Sequence, residues 1–142
     1  MNSDEYWKML VERVYHQQEE LVGIEETYYR LSCIYGETMV DGIQSYFERR
    51  VQEYQKDMTT LVDHGFKPVA DEYANAKSIM FGQNDLTPES VDEFYDRMCE
   101  DEDLDNRIDQ QLGPVYDRLI EQLEDLNEYI YQFGIKHQLY SE

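Results

Sequence analysis

The stretch Pro114-Val115-Tyr116-Asp117-Arg118-Leu119-Ile120-Glu121-Gln122-Leu123-Glu124-Asp125-Leu126-Asn127-Glu128-Tyr129-Ile130-Tyr131-Gln132-Phe133 decides the fold class. Val115, Leu119, Leu123, Leu126, Ile130 and Phe133 recur at spacings of four and three. At about 100° per residue they fall in a stripe roughly 80° wide. Asp117, Glu121, Glu124, Asp125 and Glu128 project about 180° from that stripe. The spacing therefore predicts a helix with one face buried and the other an uninterrupted row of carboxylates. Gly113-Pro114 reads as its start, with proline where a missing N–H is harmless, and Gly134 as a left-handed C-cap.

Moving outward, every strong segment has the same period. Ser3 reads as an N-cap, followed by a helix to about Glu20 with Trp7, Leu10, Val11 and Val14 inward. A second helix follows Gly23, with Tyr28, Leu31, Ile34 and Tyr35 inward, and ends near Gly36. Helix is expected again from Asp41 to Tyr54, through Ile43, Tyr46, Phe47, Val51 and Tyr54. A short one with Met58, Leu61 and Val62 inward stops at Gly65. Pro68 opens another through Val69, Tyr73, Ala76 and Met80. Thr87-Pro88-Glu89 is a cap, a first-position proline and a first-turn acid, starting a helix that buries Val91, Phe94, Tyr95 and Met98. A short helix with Leu104, Ile108 and Leu112 precedes the last one. No sustained period-two alternation and no Asn-Gly or Asp-Gly hairpin signal occurs. The fold class is all-α: one compact domain over residues 1–142, with about six to eight helices.

A length of 142 residues, 41% hydrophobic with 13 tyrosines, supplies a core that needs no disulfide or metal. Cys33 and Cys99 fit no metal or redox spacing and read as reduced, buried thiols. No apolar run reaches transmembrane length, and Met1-Asn2-Ser3-Asp4-Glu5 is acidic where a signal peptide is basic. A cytoplasmic bacterial-type protein is the expectation. The aromatic surplus is compatible with a homodimer, although sequence does not separate interface tyrosines from core ones.

The 32 acids and 12 bases give a formal charge of −20, which argues against binding nucleic acid directly and against an anionic membrane surface. It favours a basic protein partner. The charge is concentrated: from Asp85 onward 17 acids face four bases, a net of −13, whereas residues 1–84 carry 15 against eight, a net of −7. In that C-terminal part Glu89, Asp92, Glu93, Asp96 and Glu100 form a second row opposite the apolar face of their helix. The two rows contain six like-charge i,i+4 pairs, each costing ~0.2–0.5 kcal/mol before salt screening. Glu93 with Arg97 is the one compensating pair expected. A solvated face is the plain explanation of such rows. Against it stands their repeat: carboxylates three or four positions apart lie ~5–6 Å apart at Cβ, close to the repeat of phosphates along a strand.

Other chemistry is weakly represented. Asp101, Asp103, Asp105 and Asp109 sit at calcium-loop positions, but Asn106 replaces the required glycine and Leu112 the bidentate acid, so no dedicated metal site is expected. His16, His64 and His137 have no zinc-ligand spacing. No phosphate loop, nucleophile elbow or local Ser/His or Cys/His pattern occurs, and exposed carboxylates lack the burial that tunes a general acid. Neither a cofactor nor catalysis is expected.

Glu37-Thr38-Met39-Val40-Asp41-Gly42-Ile43-Gln44-Ser45-Tyr46-Phe47 resembles the signature E-x-x-N-G-G-F-x-Q-Y-F of a helical bacterial family of the DNA mimic protein (DMP) type, described as a domain of unknown function. Leu112 to Ile130 is similar to that family's closing helix, and Leu61-Val62-Asp63-His64-Gly65 to its short helix ending in Ile-Gly-Ala. The likeness extends roughly from Tyr28 to Phe133. Glu37, Gly42, Tyr46 and Phe47 keep the pattern; Val40, Asp41, Ile43 and Ser45 depart from it. The resemblance implies an all-helical domain that presents carboxylates in the manner of DNA phosphates to a transcriptional regulator. It carries no residue motif for that surface. The function expected is thus a non-catalytic acidic interaction protein directed at a basic, DNA-binding partner. The alternative is an acidic immunity-type module for a basic partner that does not bind DNA.

Overall fold

The computed structural model describes residues 1–142. The chain is helical with no strand. In order the helices are α1 (Ser3–Val11), α2 (Gly23–Asp41), α3 (Ile43–Arg50), α4 (Tyr54–Asp63), α5 (Lys67–Phe81), α6 (Pro88–Glu100) and α7 (Glu102–Lys136). A π-helical turn, Glu12–His16, extends α1, and a 3₁₀ turn, Val51–Glu53, joins α3 to α4 without a break. Only five helices reach ten residues, fewer full helices than the six to eight expected.

The largest departure from the expected helices lies at the end of the chain. The two helices expected on either side of Gly113-Pro114 are one 35-residue rod, α7. Pro114 removes the N–H that would bond the Gln110 carbonyl, the usual reason a helix breaks. Both residues are exposed, so water can take the orphaned carbonyl and the rod continues. Gly134 is likewise inside α7, not its cap. It is buried against the Tyr140 ring, which occupies the space a Cβ would need. Past the cap His137, Gln138 at φ 59° turns the chain back, and the Tyr140 hydroxyl donates to the Tyr131 carbonyl at 3.0 Å.

Other boundaries move by a few residues. Asn2, not Ser3, caps α1 by accepting from the Glu5 N–H at 2.9 Å. α2 runs through Gly36 and stops at Gly42, whose φ of 90° suits a residue without a side chain. The capping box at α6 is present, Ser90 N–H to Thr87 Oγ1 at 3.1 Å and Thr87 N–H to Ser90 Oγ at 2.9 Å.

α7 is the spine. Its apolar stripe, Ile108 to Phe133, is buried against α5, α2 and α6. Tyr46, Phe47, Tyr73, Leu31, Ile34 and Leu61 fill the centre with no exposed surface. Of the family-like residues, Gly42 makes the sharp turn between α2 and α3, Tyr46 and Phe47 are core, and Glu37 lies 3.6 Å from Arg49. The tyrosine surplus is used largely inside: Tyr6, Tyr28, Tyr46, Tyr54, Tyr73 and Tyr140 are buried, and only Tyr15 and Tyr116 are exposed. Cys33 is half-buried, with its thiol pushed up by desolvation, whereas Cys99 is exposed and not buried as expected. It sits one step around α6 from the buried Met98, which is enough to carry it out of the core. No helix is long and apolar enough to cross a membrane.

Candidate functional site

The first row stands on α6. Thr87 caps the helix, Val91, Phe94 and Met98 anchor it, and Glu89, Asp92, Glu93, Asp96 and Glu100 are all exposed. The second stands on α7, where Val115, Leu119, Leu123, Leu126 and Ile130 are buried and Asp117, Glu121, Glu124, Asp125 and Glu128 are all exposed. Each row covers about 16 Å of helix at ~1.5 Å per residue. Because α7 is a single rod, the exposed Asp103 lies along the same back face, separated from Asp117 by the neutral Asn106 and Gln110. α6 packs on α7, so the ten carboxylates sit on two neighbouring helices.

Their electrostatic surroundings differ sharply from those of the other acids. None of the 17 acids from Asp85 onward lies within 4.0 Å of a basic nitrogen, whereas nine of the 15 before it pair with lysine or arginine. The expected Glu93–Arg97 pair is not formed. Arg118, the base nearest the α7 row, pairs across to Glu72 on α5. Among the ten carboxylates the only side-chain hydrogen bond is Gln132 Nε2 donating to Glu128 at 3.1 Å. Same-sign charges thus stand side by side with neither a cation nor a donor network to offset their repulsion.

The helix that would carry a calcium loop is continuous. Asp101 caps α7, accepting from the Leu104 N–H at 3.1 Å, and Asp103, Asp105 and Asp109 lie along the rod. His64 and His137 follow the last residues of α4 and α7. His64 Nδ1 is 2.7 Å from the Tyr129 hydroxyl, and the His137 ring is 4.4 Å from that of Phe133.

A second charged centre, not expected from the sequence, lies in the interior. Asp57 on α4 has no exposed surface. Its carboxylate accepts from Arg50 twice, Nε and Nη2 both at 2.8 Å, from Arg30 Nη1 at 2.8 Å and from the Tyr46 hydroxyl at 2.7 Å. Burial together with that carboxylate pushes the Tyr46 hydroxyl well above its usual range. Tyr46 lies on Tyr73, centroids 4.6 Å apart, and the Tyr73 hydroxyl is 2.6 Å from Thr38 Oγ1. The centre ties α2, α3 and α4 together. One signal was available: Asp57 lies three residues after Tyr54 and four before Leu61, on the apolar face of α4. The buried face of α4 is rotated away from Val62, expected inward, which is 47% exposed.

Compared with protein-family models, curated proteins and solved structures, the chain finds no match, and the comparisons add no support to the resemblance drawn from the sequence.

Proposed function

We propose that the protein is a non-catalytic acidic interaction module whose α6 and α7 carboxylates occupy the DNA-binding surface of a basic partner such as a transcriptional regulator. The supporting observation is the segregation of charge: every acid from Asp85 onward is free of ion pairs, while most acids elsewhere are committed to an arginine or lysine. A carboxylate without a cation, exposed and repeated along a rigid helix, is available to a Lys- or Arg-lined groove. It steers such a groove from beyond contact distance. The rigidity matters because the spacing is then fixed before binding and little ordering entropy is lost.

Affinity capture from the native cell at low salt, with elution by a salt gradient, identifies the partner. Reversal of Glu121, Asp125 and Glu128 to lysine is expected to weaken the captured complex at least tenfold and to flatten its salt dependence, with helicity unchanged. A complex indifferent to both salt and these substitutions overturns the mechanism. Competition with duplex DNA then separates the two partner classes. A DNA-binding partner is released by DNA, whereas a basic toxin neutralised by an immunity-type module is not.

A further inference from the structure

α1, α2, α7 and the returning C-terminal segment line a cleft of about 360 Å³; Asn127, Ile130 and Tyr131 bring it close to the end of the α7 row, but none of the ten row carboxylates lines it. Five aromatic side chains form its walls: Trp7, Tyr28, Tyr35, Tyr131 and Tyr140. Three of them are contiguous, with Tyr28 and Tyr140 centroids 5.8 Å apart and Tyr131 and Tyr140 5.9 Å apart. The one charged lining residue is Asp4, which is exposed and makes neither an ion pair nor a side-chain hydrogen bond; no lysine, arginine or histidine lines the cleft.

Gly36 is a separate observation pointing to the same place. It lies inside α2, where glycine is the poorest residue short of proline, and a Cβ built on it meets nothing within 4 Å. No packing within the chain requires the missing side chain. Gly36 is itself a lining residue, so a large side chain there has open space at the cleft to fill.

We propose that this cleft is a binding site for an organic cation, an alkylammonium or guanidinium head group. Aromatic faces carry negative quadrupole density that attracts a cation within ~6 Å of the ring centroid, and such cations shed water more readily than a metal ion. Asp4 adds a full charge to the lining, and the protein's overall charge raises the local cation concentration. Ser3, Ser32 and Asn127 add hydrogen-bonding groups, but the lining offers an anion no cationic side chain while Asp4 repels it. The same chemistry is available on a free quaternary ammonium compound and on a lysine or arginine side chain of another protein.

Trp7 is the sole tryptophan, so its fluorescence reports on the cleft directly. Titration of the full chain with choline is expected to give a saturable change, and 3,3-dimethylbutan-1-ol, its neutral isostere, none over the same range. Asp4→Asn is expected to weaken choline binding roughly fivefold or more. Gly36→Leu is expected to abolish it with far-UV dichroism retained, and Gly36→Ala, which fills less, to weaken it. Titration with N-acetyl-arginine methylamide and with a short Lys/Arg peptide separates the sources. Tighter binding of the peptide than of choline assigns the site to a protein side chain, and the reverse order to a free ammonium compound. Equal binding of the neutral isostere, unaltered binding by folded Gly36→Leu, or no saturation with any cation overturns the proposal. Lysine reversal of Asp92 and Asp96 on α6, a helix that contributes no residue to the cleft, is expected to leave a saturable choline titration, so this site and the acidic rows succeed or fail separately.

Discussion

Arg118, the only base between Pro114 and Phe133, points its guanidinium at Glu72 on α5, with Nε 2.7 Å from Oε2 and Nη2 3.1 Å from Oε1. The cation that could have neutralised the α7 row is thereby committed to a neighbouring helix. The arrangement serves two ends. It satisfies a carboxylate that is 7% exposed, and it leaves the row bare.

The guanidinium holds the Glu72 carboxyl below the usual carboxylate range, against the opposing effect of burial, and Asn75 assists. A folded-state pKa below the unfolded one contributes stability above the ordinary value that is lost as pH falls through the depressed one. Glu72→Gln is therefore expected to lower the melting temperature by a few degrees near neutral pH. The difference from the parent should shrink as pH falls from about 5 toward 3. Thermal melts across that range, at one ionic strength, check it; a difference that grows toward acid contradicts the assignment.

Asp57→Asn removes the charge that Arg30 and Arg50 share and keeps the side chain's size. Arg50 has no other anionic partner, and its side chain is only 13% exposed. Breaking a buried pair from one side costs about 3–5 kcal/mol, because the remaining charge stays buried. By contrast Glu26→Gln, at the half-buried end of the same network, is expected to cost less than about 1 kcal/mol. Urea midpoints of the two variants provide the comparison. Equal losses would mean that Asp57 is no anchor.

Gly134→Ala pits helix propensity against packing. Alanine is favoured over glycine in a helix interior by about 1 kcal/mol, but here its methyl group would collide with the Tyr140 ring. The collision is with the body of a buried ring, so repacking is expected to cost about 1–3 kcal/mol. The net effect is destabilisation, with the C-terminal segment displaced. Tyr140→Ala, which opens the space, is expected to make Gly134→Ala neutral or stabilising. Thermal melts of the double-mutant cycle measure the sign change.

Periodicity alone makes this chain all helix, because the 3.6-residue period of its apolar residues survives any rearrangement of neighbours. It also determined that Glu89, Asp92, Glu93, Asp96, Glu100, Asp117, Glu121, Glu124, Asp125 and Glu128 lie opposite the buried stripes, which depends only on helical geometry. Tertiary packing decided the rest. Gly113-Pro114 and Gly134 are local stop signals, but the contacts made by the stripe on both sides hold α7 continuous through them, and Tyr140 gives Gly134 its reason. Whether each acid is paired was equally out of reach. Arg118 chose a partner 46 residues away over carboxylates on its own helix, and Asp57 drew Arg30 from 27 residues away. Periodicity assigns a side chain to a face; only packed helices bring distant charges within hydrogen-bond reach, and that choice of partners left the two acidic rows unneutralised.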